Sequence, residues 1–451
     1  MIGASLSRWT MSYFAAAIVA LITALALMTA GYGYPNAPVD APPTLVIVHL
    51  VAIGWLSLLM CGALFQFVPV LIARPLADER LPLPALACLG PGLVSLLCGF
   101  LWLDGRIETA LPFFPIAATL LGCGFGLVIW GLARTLFTGR PLPLSARFVA
   151  IALAGLGLTV TLGIIFALVR GGAVATPHLV DLTLSGVPVH AIAGLGGWLT
   201  FAAMGVSYRL LAMFMLAPEL DRRGSRLALH LGTAALALAI IGGTVAICLE
   251  WSRDLTLLAA GIPGLAALGF YGRDMLHLYR ARKRRVIELN ARMATFAFAS
   301  LGLAVALILV LLALGRLQDQ VAAIVFLVAF GWLSGLGLGK LYKIVAFLTW
   351  LECYGPILGK QPTPRVQDLV IEKRAQKWFY LYFVAVWLGT AALLWGLPLV
   401  FQATGFAMLV ATLGIVVQLV RIRKLADVKE EARFPGNAHR PALLHAAVQG
   451  S

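Results

Sequence analysis

The sequence predicts an all-α integral membrane protein. Twelve transmembrane helices are expected as three pseudo-repeated four-helix units, with the N and C termini cytoplasmic. Three observations lead there: scarce charge, long apolar runs, and a motif that occurs three times. Of 451 residues, 61% are hydrophobic and 12% are charged. Soluble domains average about 25% charged residues, so these are too few to cover a water-facing surface. The apolar residues come in runs of roughly 20 or more, the length that crosses a ~30 Å hydrocarbon core as helix.

The runs lie near 11–31, 45–71, 84–103, 111–136, 147–169, 186–215, 227–249, 255–277, 292–315, 320–350, 377–397 and 403–421. In lipid each span must satisfy its own backbone groups, and these runs are too long and uniform for barrel strands. The opening stretch MIGASLSRWT carries little charge and leads into a full-length span, so no cleavable signal is expected.

Orientation follows from Lys and Arg. The net charge of +15 sits between spans. The loop after span 8 reads YRARKRRVIELNAR, the loop after span 6 reads DRRGSR, and the tail reads RIRKLADVKEEAR. Lys373, Arg374 and Lys377 precede span 11, whereas the connections after spans 1, 5, 9 and 11 hold few basic residues. The positive-inside rule then places both termini and all even-numbered loops in the cytoplasm of a bacterial-type inner membrane. The basic clusters read as topology signals and contacts to anionic lipids of the bilayer, and no nucleic-acid role is expected. Six cysteines show no CxxC spacing and read as small buried apolar residues.

The motif appears as HLVAIGWLSLLMCGALFQF from His49, HAIAGLGGWLTFAAMGVSYRL from His190 and FLVAFGWLSGLGLGKLYKI from Phe326. Each contains Gly-Trp-Leu, then five residues, Gly, two residues, and Phe or Tyr followed by Gln, Arg or Lys. The positions are Gly54, Trp55 and Gly62; Gly197, Trp198 and Gly205; Gly331, Trp332 and Gly339. The copies fall on spans 2, 6 and 10, the second span of each group of four. The predicted units are therefore 1–142, 143–286, and 287–451 with its basic cytoplasmic tail. Such internal repeats are common in membrane proteins. Close helix packing alone accounts for the glycines. It accounts less well for the histidines.

Of seven histidines, His439 and His445 lie in the tail, His178 in an outside loop beside Asp181, and His277 at a basic helix end. His230 lies near the cytoplasmic face, too deep to share a site with His190. His49 and His190 each stand about four residues into a span that runs inward. At 1.5 Å per residue, both lie in the outer third of the bilayer. Ionisable groups at such depth mark functional sites by default, and imidazole ligates haem iron and copper. Each ring could instead bond a neighbouring carbonyl or hydroxyl, or relay protons. Their registers differ: His49 precedes its tryptophan by six residues and His190 by eight, a difference of about 200° on a helix. A helix bulge in the run Gly194–Gly197 would be one way to reset it.

Span count, termini and the histidines on spans 2 and 6 resemble the haem-copper oxidase subunit I superfamily. The segment with His49, Gly54, Trp55, Phe67, Val68 and Pro69 also looks like the related NnrS family. The topological resemblance covers nearly the whole chain, and the residue-level resemblance covers the three motif segments. The resemblance implies a haem b ligand at His49, a copper ligand at His190, and cytochrome or oxidase-type partner subunits. The match then breaks. The family's histidine pair on span 7 and its His-x-His on span 10 are missing, Phe326 stands at the position of His49, and Gly194 replaces a tyrosine. A complete oxygen- or nitric-oxide-reducing centre is therefore not expected, and no catalytic residue is assigned. A haem or copper protein with a redox, gas-related or metal-handling role is one reading. A cofactor-free transporter or structural protein that kept the fold is the other. Arg209, Lys340 and Lys343, at the cytoplasmic ends of spans 6 and 10, read as cations snorkelling to headgroups or as a basic vestibule for an anion. Glu352 is expected at the interface.

Overall fold

The computed structural model describes residues 7–435 and 440–446. Residues 1–6, on which the reading of no cleavable signal partly falls, and His439 lie outside the described residues. Among the described residues no strand forms, and twelve helices are long and apolar enough to cross a membrane. They are α1 Thr10–Thr29, α2 Pro42–Ile72, α3 Pro82–Leu103, α4 Phe113–Thr138, α5 Leu144–Arg170 and α6 Val187–Met215. The rest are α7 Arg223–Cys248, α8 Arg253–Arg280, α9 Leu289–Ala313, α10 Val321–Ile357, α11 Glu372–Leu394 and α12 Pro398–Arg423. All twelve expected spans are present, because run length in an apolar sequence directly sets span length.

Proline marks several starts. Pro42, Pro82 and Pro398 occupy the first helical turn of α2, α3 and α12, where a missing N–H costs nothing.

Two compact units divide the chain. Unit 1 takes in Leu64–Val286, and unit 2 joins the described chain before Leu64 to Ile287 and beyond. In unit 1, α3 packs on α4, α4 on α5, α5 on α6, and α7 on α8. In unit 2, α1 packs on the first half of α2 and on α12, α9 on α10, and α11 on α12.

The three motif copies share a local structure that periodicity does not foretell. Leu50–Ser57, Ile192–Thr200 and Leu327–Ser334 are each π-helical, a wider turn with i→i+5 bonds. Such turns make up well under 1% of residues in ordinary proteins. Side chains help to hold the wide turn in two of them. Ser57 Oγ donates to Ala52 O and Ser334 Oγ to Ala329 O, both at 2.7 Å and both reaching back five residues. All three tryptophans, Trp55, Trp198 and Trp332, are fully buried.

The last glycine of each copy faces the first span of its own group. A Cβ on Gly62 would lie 2.6 Å from Tyr13 Cβ of α1. On Gly205 it would lie 2.7 Å from Ser145 O and on Gly339 3.1 Å from Met293 Cβ, on α5 and α9. The first glycine does the same in two copies: Gly155 on α5 would meet Gly197 backbone at 2.7 Å, and Gly331 would meet Ser300 Cβ of α9 at 2.8 Å. Only residues without side chains permit that approach.

The cysteines depart from expectation in part. Cys61 and Cys353 are buried, but Cys123 and Cys248 are exposed. Apolar outward faces suit lipid, so a thiol there needs no core around it.

Candidate functional site

His49 belongs to unit 2. It closes the first, α-helical turns of α2, and the π segment begins at the next residue. Its Nδ1 lies 2.8 Å from Leu45 O, one turn back. A carbonyl oxygen only accepts, so Nδ1 carries the proton and Nε2 carries the lone pair. A ring held through Nδ1–H to a backbone carbonyl is the arrangement that fixes tautomer and orientation for a metal-ligating histidine. Val46, Ile47 and Leu50, all buried, flank it along the chain.

The rest of the first and third motif copies is knitted together in unit 2. Trp55 Nε1 donates to Ser334 Oγ at 2.7 Å. Tyr382 of α11 donates to Phe330 O at 3.1 Å, a carbonyl of the third π segment. Phe326, at the register of His49, is buried among aromatic rings. Its centroid lies 4.9 Å from that of Phe330 and 5.3 Å from that of Phe401.

His190 belongs to unit 1 and lies two residues before its own π segment. Its ring is 5.4 Å from Phe166, and a Cβ on Gly163 would meet its Cε1 at 3.3 Å. Leu162, Phe166, Val189, Ala193 and Ile240 form the apolar cluster around that position. The π turn does not reset its register relative to His49, because a π turn is present in all three copies. Among the described residues, no group of three or more His, Cys, Asp or Glu could hold a metal ion.

His230 is exposed, His178 and Asp181 are exposed on the short helix Pro177–Ser185, and His277 Nε2 lies 2.5 Å from Arg222. Met204 and Met215 are buried and Met213 is exposed.

Two of the motif cations pair with carboxylates. Arg209 forms an ion pair with Glu219. Lys343 lies 2.8 Å from Glu288, both largely buried, and Lys340 is buried. Glu288 also accepts from Asn290 at 3.1 Å and Gln367 at 3.0 Å.

Glu352 is buried within the protein near the end of α10, where Arg423 at the end of α12 compensates it. Arg423 Nη1 lies 2.9 Å from Glu352 and 3.0 Å from Thr349, and its Nη2 donates to Ala442 O. In unit 1, Asp274 of α8 is 2% exposed and accepts from Tyr208 Oη at 3.0 Å. Asp274 and Arg423 went unremarked in the sequence. The signal was there for one of them only: Asp274 is a charge set six residues inside the end of α8, whereas Arg423 is the last residue of α12 and reads as part of the basic tail.

Scanned against known families, the chain matches no family model, and no characterised protein matches its sequence.

Proposed function

We propose that the protein is a multi-pass membrane subunit of the haem-copper oxidase subunit I type, holding a single haem b through His49. Its work would be redox or gas-related, in a bacterial-type inner membrane, alongside cytochrome or oxidase-type partner subunits. The carrying observation is the 2.8 Å bond from His49 Nδ1 to Leu45 O, which presents Nε2 as a ligand atom. The π segment beginning at the next residue supports the reading, since π turns often occur at functional sites. The three-unit organisation with cytoplasmic termini belongs to the same reading. The shared π turn and the glycine of each copy that faces the first span of its group support the three units, and the distribution of Lys and Arg supports the termini.

A haem bound there would supply an iron able to change oxidation state and to take a small gas ligand. The chain's own part is to hold the ring. Leu45 O fixes which nitrogen is protonated, and Val46, Ile47 and Leu50 beside it are buried.

Copper does not fit equally well. A three-histidine copper centre lacks its donors, because no group of three ligating residues surrounds His190 among the described residues. His190 is therefore read as a packing residue against Gly163 and Phe166, and no step is assigned to it.

A second reading is a cofactor-free transporter or structural protein. It is favoured by Phe326, which fills the α10 position matching His49 and packs on Phe330 and Phe401. An absorption spectrum of purified protein separates the two readings. A Soret band lost in His49→Ala and kept in His190→Ala supports the haem reading. A colourless protein supports the second.

A further inference from the structure

We propose that the outward face of α4 near its C-terminal end binds an anionic phospholipid. Trp130, Arg134 and Phe137 stand at i, i+4 and i+7, one stripe along the helix. Trp130 is 59% exposed and Phe137 62% exposed, high for large aromatic residues. The Arg134 guanidinium lies 5.7 Å from the Trp130 ring centroid. Arg140, just past the helix end, lies 4.1 Å from that of Phe137. Two cations are thus stacked on two outward-facing rings.

A guanidinium lying over a ring still has N–H donors to offer, in a fork that fits phosphate oxygens. Neither Arg134 nor Arg140 has a carboxylate partner among the described residues. The neighbouring connection does not cancel them. Ala77 N donates to Thr135 Oγ1 at 3.1 Å, so residues 73–81 dock on this end of α4. That connection carries Arg74 and Arg80 against Asp78 and Glu79, so its own charges balance. Arg147, exposed at the start of α5, has its Nε bonded to Leu142 O at 2.9 Å and acts on the Asp221 carboxylate, so it is not counted in the patch.

The rings decide the class of ligand. Trp130 and Phe137 are about 10 Å apart along the axis of an apolar span, and a free phosphate would cover neither. A phospholipid covers both: its phosphate meets the guanidinium edges while its glycerol and acyl carbons lie against the rings. Above Trp130 the same face continues through exposed Gly126, where an added Cβ would meet nothing within 4 Å. Basic patches at helix ends recognise anionic headgroups in this way.

The test uses the full chain in a neutral detergent, with phosphatidylglycerol as the probe. The control is phosphatidylcholine of the same acyl chains, and binding is followed by native mass spectrometry and thermal shift. The wild type is expected to retain phosphatidylglycerol in preference to phosphatidylcholine. The doubly substituted Arg134→Gln, Arg140→Gln protein is expected to lose that preference by about tenfold or more, since it lacks two charge-assisted hydrogen-bonding groups. Trp130→Ala is expected to weaken both lipids. Equal retention of the two lipids by wild type would overturn the proposal. So would an unchanged preference in the double variant, or full displacement of phosphatidylglycerol by inorganic phosphate.

Discussion

The two compact units treat buried polar groups differently. In unit 2, Glu352 lies against Arg423 and Glu288 against Lys343, and the His49 ring is tied to a carbonyl of its own helix. In unit 1, the buried Asp274 accepts from the Tyr208 hydroxyl, and the His190 ring packs on Gly163 and Phe166. Both units carry the same Gly-Trp segment and the same π turn. A shared backbone therefore does not impose a shared chemistry. What differs is which partner the neighbouring spans bring to each side chain.

The largest effect is expected where one partner of a buried pair is removed. Glu352→Ala strands the Arg423 guanidinium at 4% side-chain exposure. The expected loss is about 3–5 kcal/mol, read as a lowered unfolding temperature in detergent. Replacing both, Glu352→Met with Arg423→Met, should recover much of that loss. If the single variant is as stable as wild type, the pair does not distinguish unit 2.

Unit 1 is expected to be most sensitive to backbone approach. Gly155→Val would drive a side chain into Gly197 backbone, where no flexible atom can give way. Overpacking of this kind costs about 1–3 kcal/mol or more. Gly126→Val on an open face should leave the unfolding temperature nearly unchanged, and equal effects at the two sites would contradict the crossing.

Tyr208→Phe removes the hydroxyl that donates to Asp274. A loss of about 1–3 kcal/mol is expected, since a buried acceptor is left unserved. Asp274→Asn in the same background should recover part of it, and no recovery would sever the link between the two residues.

The smallest effect is expected at Trp55→Phe. The ring volume is largely kept and the bond to Ser334 Oγ is lost. Because Ser334 Oγ still donates to Ala329 O, the cost should be about 0.5–1.5 kcal/mol.

Much of this could be read from the sequence, for physical reasons. The twelve spans could, because hydrocarbon thickness converts directly into run length. The Gly-Trp segments could, because six matched positions recur without a gap. The π turns could not. In two of the three, Ser57 and Ser334 reach carbonyls five residues back, a detail that apolar periodicity does not record. Nor could the burial of Glu352 be read. Its partner Arg423 lies 71 residues away, so the carboxylate alone resembled an interfacial residue. His49 was legible as an ionisable group at membrane depth, but the bond that orients its ring needed the geometry of the turn before it.

The most direct test of the haem reading is an absorption spectrum of the purified protein, oxidised and reduced, with metal analysis of the same sample. The account predicts a near-stoichiometric Soret band that disappears in His49→Ala and survives in His190→Ala. A colourless, iron-free wild-type protein, or a band that survives loss of His49, would contradict it.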